Sequence, residues 1–373
     1  LGSNVSIYGL SSEGYNLASI LALNGINVII VDDMKRMAFN LSKEIANAYP
    51  DINTLKIEEP LLHLISESEA IKNAEYIFFA PKIRNIGQDA LDEINTKFKD
   101  AIINIQQGSS IIFNIPLGFG MNQKNIELIE HITGFNVNND INYHYMPLGP
   151  EGYPKLIGSI REDNKLLNIL NSYDEQLQFA DIESIEALYI NRILSHYIPL
   201  INTFEVFKYS KKIIDREELR SIYLDDIAEG LFDLKMISLS LVNNAPLASI
   251  VNNSIKSIEG YLKYIVDKLK RFIKENNIKT NLLRAFILWT FDQNEIRSSK
   301  SYLLQLLENK LRDNITYVNK NMNIMNDKIS LIIICSRNDY NMINSKQRYD
   351  PLRYDYIIIN TNPFCETIKK IIS

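Results

Sequence analysis

Cysteine is nearly absent from this 373-residue chain, which has two, Cys335 and Cys365, and none between Leu1 and Ile334. Two widely separated thiols form neither a disulfide framework nor a metal-ligand pattern, and they fit a reducing compartment. Histidine is also sparse. His63, His131, His144 and His196 are scattered, with no HxxxH spacing or acid pairing suited to a metal, so no metal site is expected. No apolar run approaches the roughly 20 residues that span a bilayer, and the first residues lack the charged-then-apolar layout of a signal peptide. A cytoplasmic location is the expectation. A formal net charge of -5 gives no drive toward nucleic-acid phosphates or anionic lipid, so neither partner is expected. The stretch from Lys263 to Lys274, with Lys268, Lys270 and Arg271, fits the solvated face of a helix. P-loop, G-x-S-x-G and kinase motifs are missing as well.

What is present belongs to a globular protein: 46% of residues are hydrophobic and 23% charged, in a chain long enough for two or three compact units. The segment from Asn4 to Asp33 has the order of a dinucleotide-binding unit. An apolar strand, Val5-Ser6-Ile7-Tyr8, precedes the turn Gly9-Leu10-Ser11-Ser12-Glu13-Gly14, a helix runs through Leu23, and a second strand, Val28-Ile29-Ile30-Val31, leads to Asp32-Asp33. In such units Gly9 permits the tight turn, Gly14 lets the helix lie on the strand, and the helix N-terminus offers amides to a pyrophosphate. Asp32 is placed to accept hydrogen bonds from an adenosine ribose. Ser11 stands where the middle glycine of GxGxxG belongs, so a side chain is expected to crowd the phosphate there.

Downstream, Glu58-Glu59-Pro60-Leu61-Leu62 precedes a helix, and Ala70 to Pro81 is expected to be a helix end leading into a buried strand. Another strand, Ser110 to Asn114, enters the turn Ile115-Pro116-Leu117-Gly118. From Glu183 to Lys212 the apolar residues Ile185, Leu188, Ile193, Ile198, Ile201 and Phe204 recur at helical spacing. Strand runs return at Leu282 to Leu288, Ile329 to Cys335 and Tyr354 to Asn360, with an amphipathic helix from Lys300 to Asn309. Alternation of this kind builds doubly wound parallel sheets with ligands at the carboxyl ends of the strands.

These pieces, in this order, resemble the UDP-glucose/GDP-mannose dehydrogenase family. The match rests on the glycine turn, the acid after the second strand, the Glu-Pro-x-Leu segment, the Asn73-Ala74-Glu75-Tyr76-Ile77-Phe78 strand and the Pro116-Leu117-Gly118 turn, with Asn114 at a family threonine. Asn191 and Asn202 stand as two asparagines do on the family's long central helix. Asn294-Glu295-Ile296-Arg297-Ser298-Ser299 is similar to its D-x-R-x-S turn, and the strand from Tyr354 to Thr361 is similar to its last one. The resemblance implies an α/β chain: two Rossmann-like domains, residues 1–165 and 278–373, joined by a central helical domain, residues 166–277, with a long helix.

It further implies NAD at Gly9, Ser11, Gly14, Asp32 and Asn114, a nucleotide-sugar at Arg297 and Ser299, and a homodimer or heteromer through the central helix. Arg297 has its own chemical case, since a guanidinium at a strand-to-helix turn makes paired bonds to phosphate or sugar oxygens. An ion pair with Glu295 or Asp292 is the alternative for it.

Oxidising a sugar 6-hydroxyl twice needs a base, a hydride acceptor, a nucleophile to hold the aldehyde and a group to activate water. Asp233-Leu234-Lys235-Met236-Ile237 resembles the approach to the family's cysteine loop, which places that loop around Ser240 to Asn252. No glycine pair, cysteine or lysine-aspartate stands there. Alignment on Asn191 and Asn202 puts Ala187 at the family's catalytic lysine and Tyr197 at a second lysine. Leu148 follows Pro147 where an acid is expected, and Lys82 follows Ala80-Pro81 where the family has threonine and proline. Three functions compete: a non-catalytic partner protein that can hold NAD or a nucleotide-sugar, an oxidoreductase making one two-electron step with Tyr197 or His196 as proton carrier, and a structural interaction protein with both clefts closed by side chains.

Overall fold

The computed structural model describes residues 4–58, 60–149, 156–209, 222–241, 245–319, 329–344, 356–362 and 368–371. Glu59, Lys212, Val242, Asn243, Asn244, Tyr354, Asp355 and Cys365 lie outside the described residues. Two compact units result, one of Leu1–Ile193, Lys235–Ala248 and Asp292–Ser298, the other of Leu194–Leu234, Ser249–Phe291 and Ser299–Ser373.

The first unit is built on strands β1 (Asn4–Tyr8), β2 (Asn27–Asp32), β3 (Met37–Leu41), β4 (Leu64–Ser66), β5 (Tyr76–Phe79), β6 (Ser110–Phe113), β7 (Asn142–Tyr145), β8 (Leu156–Ser159) and β9 (Gln178–Ala180). They form one nine-stranded sheet in the order β4-β3-β2-β1-β5-β6-β7-β8-β9. From β2 to β7 every neighbouring pair is parallel, and β5 and β6 are buried along their whole length, as sheets covered on both faces require. Antiparallel strands extend both sides: β3 pairs with β2, and β8 with β7. The short turn between β2 and β3, with Arg36 at φ 55°, can join only antiparallel neighbours.

Helices α1 (Ser12–Leu23), α2 (Lys43–Ala48), α3 (Ile52–Glu58), α4 (Glu67–Lys72), α5 (Gln88–Ile102), α6 (Met121–Thr133) and α7 (Asn164–Leu170) complete this unit. Ser11, Ser42, Ser66 and Asp163 start four of them by accepting a hydrogen bond from a first-turn amide. Helix α5 buries Ala90, Ile94, Phe98 and Ala101, one stripe at helical spacing, and the Phe98 ring lies 5.0 Å from Phe79 and 5.1 Å from Phe113.

Helix α8 (Ile182–Tyr209) contributes to both units, with α9 (Leu224–Ala228), α10 (Gly230–Ser240) and α11 (Ala245–Glu275) following it. The second unit carries β10 (Leu283–Leu288), helix α12 (Ser299–Arg312), β11 (Tyr317–Asn319), β12 (Ile329–Ile334), helix α13 (Arg337–Asn344), β13 (Tyr356–Asn360) and β14 (Ile368–Ile371). Its sheet runs β11-β10-β12-β13-β14, parallel except for β14. Tyr261 of α11 fixes the helical part of this unit. Its ring meets Phe204 at 4.5 Å and its hydroxyl donates to Thr361 O at 2.7 Å. Most described residues of the expected cysteine loop are helical here, in the end of α10 and the start of α11.

Candidate functional site

Between β1 and α1 the backbone turns through Gly9, Leu10 and Ser11. Gly9 has φ +105°, its amide donates to Val31 O at 3.0 Å, and a Cβ on it would lie 2.1 Å from Pro81 Cα. Gly14 faces Ala80, where a Cβ would come within 3.2 Å of the alanine methyl. Both glycines therefore serve the close approach expected of this turn.

Ser11 behaves differently from the expectation. Its side chain is fully buried, donating to Ala80 O at 2.6 Å and accepting from the Gly14 amide at 3.1 Å. It turns into the protein instead of projecting over the helix end. Ser11→Ala removes the cap and leaves the Ala80 carbonyl without this donor, so a loss of about 1–2 kcal/mol is expected in urea denaturation, with the fold retained. An unchanged midpoint would show that neither bond stabilises the turn.

Asp32 closes the β2–β3 turn, its Oδ1 accepting from the amides of Met34 at 3.1 Å and Lys35 at 3.2 Å. Asp33 receives Lys97 Nζ at 2.5 Å, and the same ammonium donates to Lys82 O at 3.0 Å. Nearby lysines are driven below their usual range by burial: Lys56, where Asp32 and Asp292 oppose the shift, and Lys82, where Lys56 and Arg84 add to it. Asn114, at the end of β6, is fully buried. Its Nδ2 donates to Met146 O at 2.8 Å while its Oδ1 has no hydrogen-bond partner.

The turn after β6 is covered. A Cβ on Gly118 would lie 2.3 Å from Ser240 Oγ, and the Phe119 amide donates to that hydroxyl at 3.0 Å. Glu186, buried, caps α6 by accepting from the Gly120 amide at 2.8 Å and from Asn122 Nδ2 at 2.7 Å. No local motif marks this carboxylate, one residue before Ala187.

The segment Asp292–Ser298 lies on the N-terminus of α1. The Ser12 amide donates to Asn294 O at 2.8 Å, and the Ser12 hydroxyl donates to the Asp292 carboxylate. The Ile296 amide donates to Glu13 Oε2 at 2.9 Å, while Ile296 O accepts from the Ile83 amide at 2.9 Å and Ser298 Oγ donates to Asn85 O at 2.6 Å. Arg297 is not at the surface: its side chain is 8% exposed, sits 3.7 Å from the Glu13 carboxylate, and donates to Leu148 O at 2.9 Å and Tyr189 OH at 3.1 Å. The carboxylate 3.7 Å from Arg297 is that of Glu13. Burial raises its carboxyl, and Arg297 opposes the shift.

In the second unit Ser299 is buried, its hydroxyl accepting from the Phe232 amide at 2.9 Å. Tyr197 is also buried, and a Cβ on Gly230 would lie 2.4 Å from its ring, so the phenol is packed between elements. His196 is exposed and meets the Tyr197 ring edge-on at 4.7 Å. Cys335 is fully buried at the end of β12, and burial pushes its thiol well above the ordinary range. Ala187 is exposed and Leu148 buried. Among the described residues no group of three or more His, Cys, Asp or Glu is placed to hold a metal, and no helix is long and apolar enough to cross a membrane.

No protein-family model matches the sequence, and no curated protein matches it. Solved structures do. A UDP-D-ManNAc dehydrogenase from Pyrococcus horikoshii superposes with a TM-score of 0.60 at 14% identity, covering 97% of this chain and 96% of that one. A UDP-glucose dehydrogenase from the hyperthermophilic archaeon Pyrobaculum islandicum gives 0.59 at 13% identity over 97% and 94%. The UDP-N-acetyl-mannosamine dehydrogenase Cap5O from S. aureus gives 0.58 at 12% identity over 99% and 97%. The chain has the fold of the nucleotide-sugar dehydrogenases over nearly its whole length.

Proposed function

We propose that this protein is a non-catalytic member of the nucleotide-sugar dehydrogenase fold that works by association instead of by oxidising a sugar. One observation carries the reading. Cys335, the single described cysteine, is fully buried with its thiol held protonated, so it offers no thiolate to trap a hexose aldehyde. Without that trap the aldehyde leaves after the first hydride transfer. Ala187 has no ionisable group to supply a base, and Leu148 has none to activate water.

The two-electron alternative draws little support, because Tyr197 is packed under Gly230 and His196 faces outward. Association through α8, as a homodimer or with another chain, rests on the resemblance and on the exposure of Leu188 and Val206 on that helix. NAD or a nucleotide-sugar is the ligand class the fold suggests. The expected result with full-length purified protein, NAD and UDP-glucose, UDP-N-acetylmannosamine or GDP-mannose is no nicotinamide reduction above the blank. Sustained reduction with any of these sugars would overturn the proposal.

A further inference from the structure

We infer that the segment Asp292–Ser298 is an internal occupant of the α1 N-terminus and holds the glycine turn closed against a dinucleotide. A helix N-terminus binds a pyrophosphate because its first amides have no partner inside the helix. Here the Ser12 and Gly14 amides are taken. The Ser12 amide bonds Asn294 O at 2.8 Å, and the Gly14 amide bonds Ser11 Oγ at 3.1 Å. The Asp292 carboxylate, bonded to the Ser12 hydroxyl, already sets a negative charge at the positive end of the helix. A pyrophosphate arriving there would meet like charge, and the Ser12 and Gly14 amides already bonded within the chain. The residues present do not fit bound NAD.

The segment is held by side chains as well as by backbone. Lys56 Nζ donates to Asn294 Oδ1 at 2.6 Å, and Asn294 Nδ2 donates to Asn53 Oδ1 at 2.8 Å. Asn294 N bonds Asp292 Oδ1 at 2.8 Å, which shapes the segment from within, and Ile296 is completely buried. Admission of a dinucleotide therefore requires the segment to leave, and Asp292 is the group whose removal favours that most. The claim concerns binding and not turnover, so it stands or falls separately from the absence of oxidation.

The test is calorimetric titration of NAD into the full chain and into two variants, Asp292→Ala and Asn294→Ala. The second variant removes the bonds to Lys56 and Asn53 and serves if the first does not fold. Either folded variant is expected to bind NAD at least tenfold more tightly than the unaltered protein, with faster hydrogen exchange at the Ser12 amide. Equal affinity across the proteins, whether tight or below detection, would overturn the inference, as would weaker binding by the variants.

Discussion

Gly9→Ala is expected to destabilise the protein by about 4 kcal/mol, enough to remove much of the soluble product of a marginally stable chain. Two terms add. A residue with a Cβ held at φ +105° is strained by about 1–3 kcal/mol. The new methyl would also sit 2.1 Å from Pro81 Cα and 2.5 Å from Pro81 N, backbone atoms that no rotamer change can move aside, and overpacking of this kind adds about 1–3 kcal/mol. Gly25 supplies the control, since it has φ +83° with nothing within 4 Å of its Cβ position. Gly25→Ala should therefore lose only the backbone part, about 1–3 kcal/mol. Urea denaturation of both variants separates the terms, and equal losses would show that the contact with Pro81 is unimportant. The large effect requires no ligand. Gly9 is demanded by the fold, so its presence is no evidence that a dinucleotide binds.

The distinction explains how far the sequence could be followed. Parallel strands were legible because burial on both faces leaves near-continuous apolar runs, such as Tyr76-Ile77-Phe78-Phe79 and Ser330 to Ile334. The long helix was legible from Ile185, Ile193, Ile201 and Phe204, all buried on one face of α8. Strands β4 and β9 were not. Leu64–Ser66 and Gln178–Ala180 are three residues each, half-exposed, and carry no alternation that a short window could detect.

The site divides along a similar line. Glycine positions follow from local backbone geometry, so Gly9 and Gly14 could be placed from their neighbours. The bonds of Asp292 to Ser12 and of Ile296 to Glu13 join residues 280 and 283 apart in the chain. Nothing in local pattern encodes such a pairing. The turn around Arg297 is legible from its motif, which points to a ligand. The guanidinium also meets Glu13, Leu148 and Tyr189 of the same chain, all distant from it in sequence. Ser11 shows the reverse error: a side chain expected to crowd a phosphate turned inward because the Ala80 carbonyl and Gly14 amide both lie within hydrogen-bond reach.

Stability should fall by about 3 kcal/mol between pH 6.5 and pH 4 through one buried imidazole, that of His144. His144 lies in β7 between Ile112 and Ser159, fully buried, with its ring 5.9 Å from Phe179 and no hydrogen-bond partner at either nitrogen. Burial drives its pKa from 6.5 down to about 4, and Asp163 opposes the shift only in part. The sign follows from which state takes the proton. Above pH 6.5 both folded and unfolded chains hold neutral imidazole and no penalty arises. Below it the unfolded chain gains a proton that the folded chain refuses until about pH 4, so stability drops by about 1.4 kcal/mol per unit and then levels off. His144→Phe removes the titration and two unsatisfied nitrogens while keeping a flat ring, so the variant should be at least as stable at pH 7. Carboxylates elsewhere also titrate over this range, which makes the difference between the two proteins the informative quantity. In urea denaturation the advantage of the variant should widen by about 3 kcal/mol from pH 7 to pH 4. A gap that stays constant would mean that the folded protein protonates His144 as readily as water-exposed histidine does, and that the imidazole has a partner in solution.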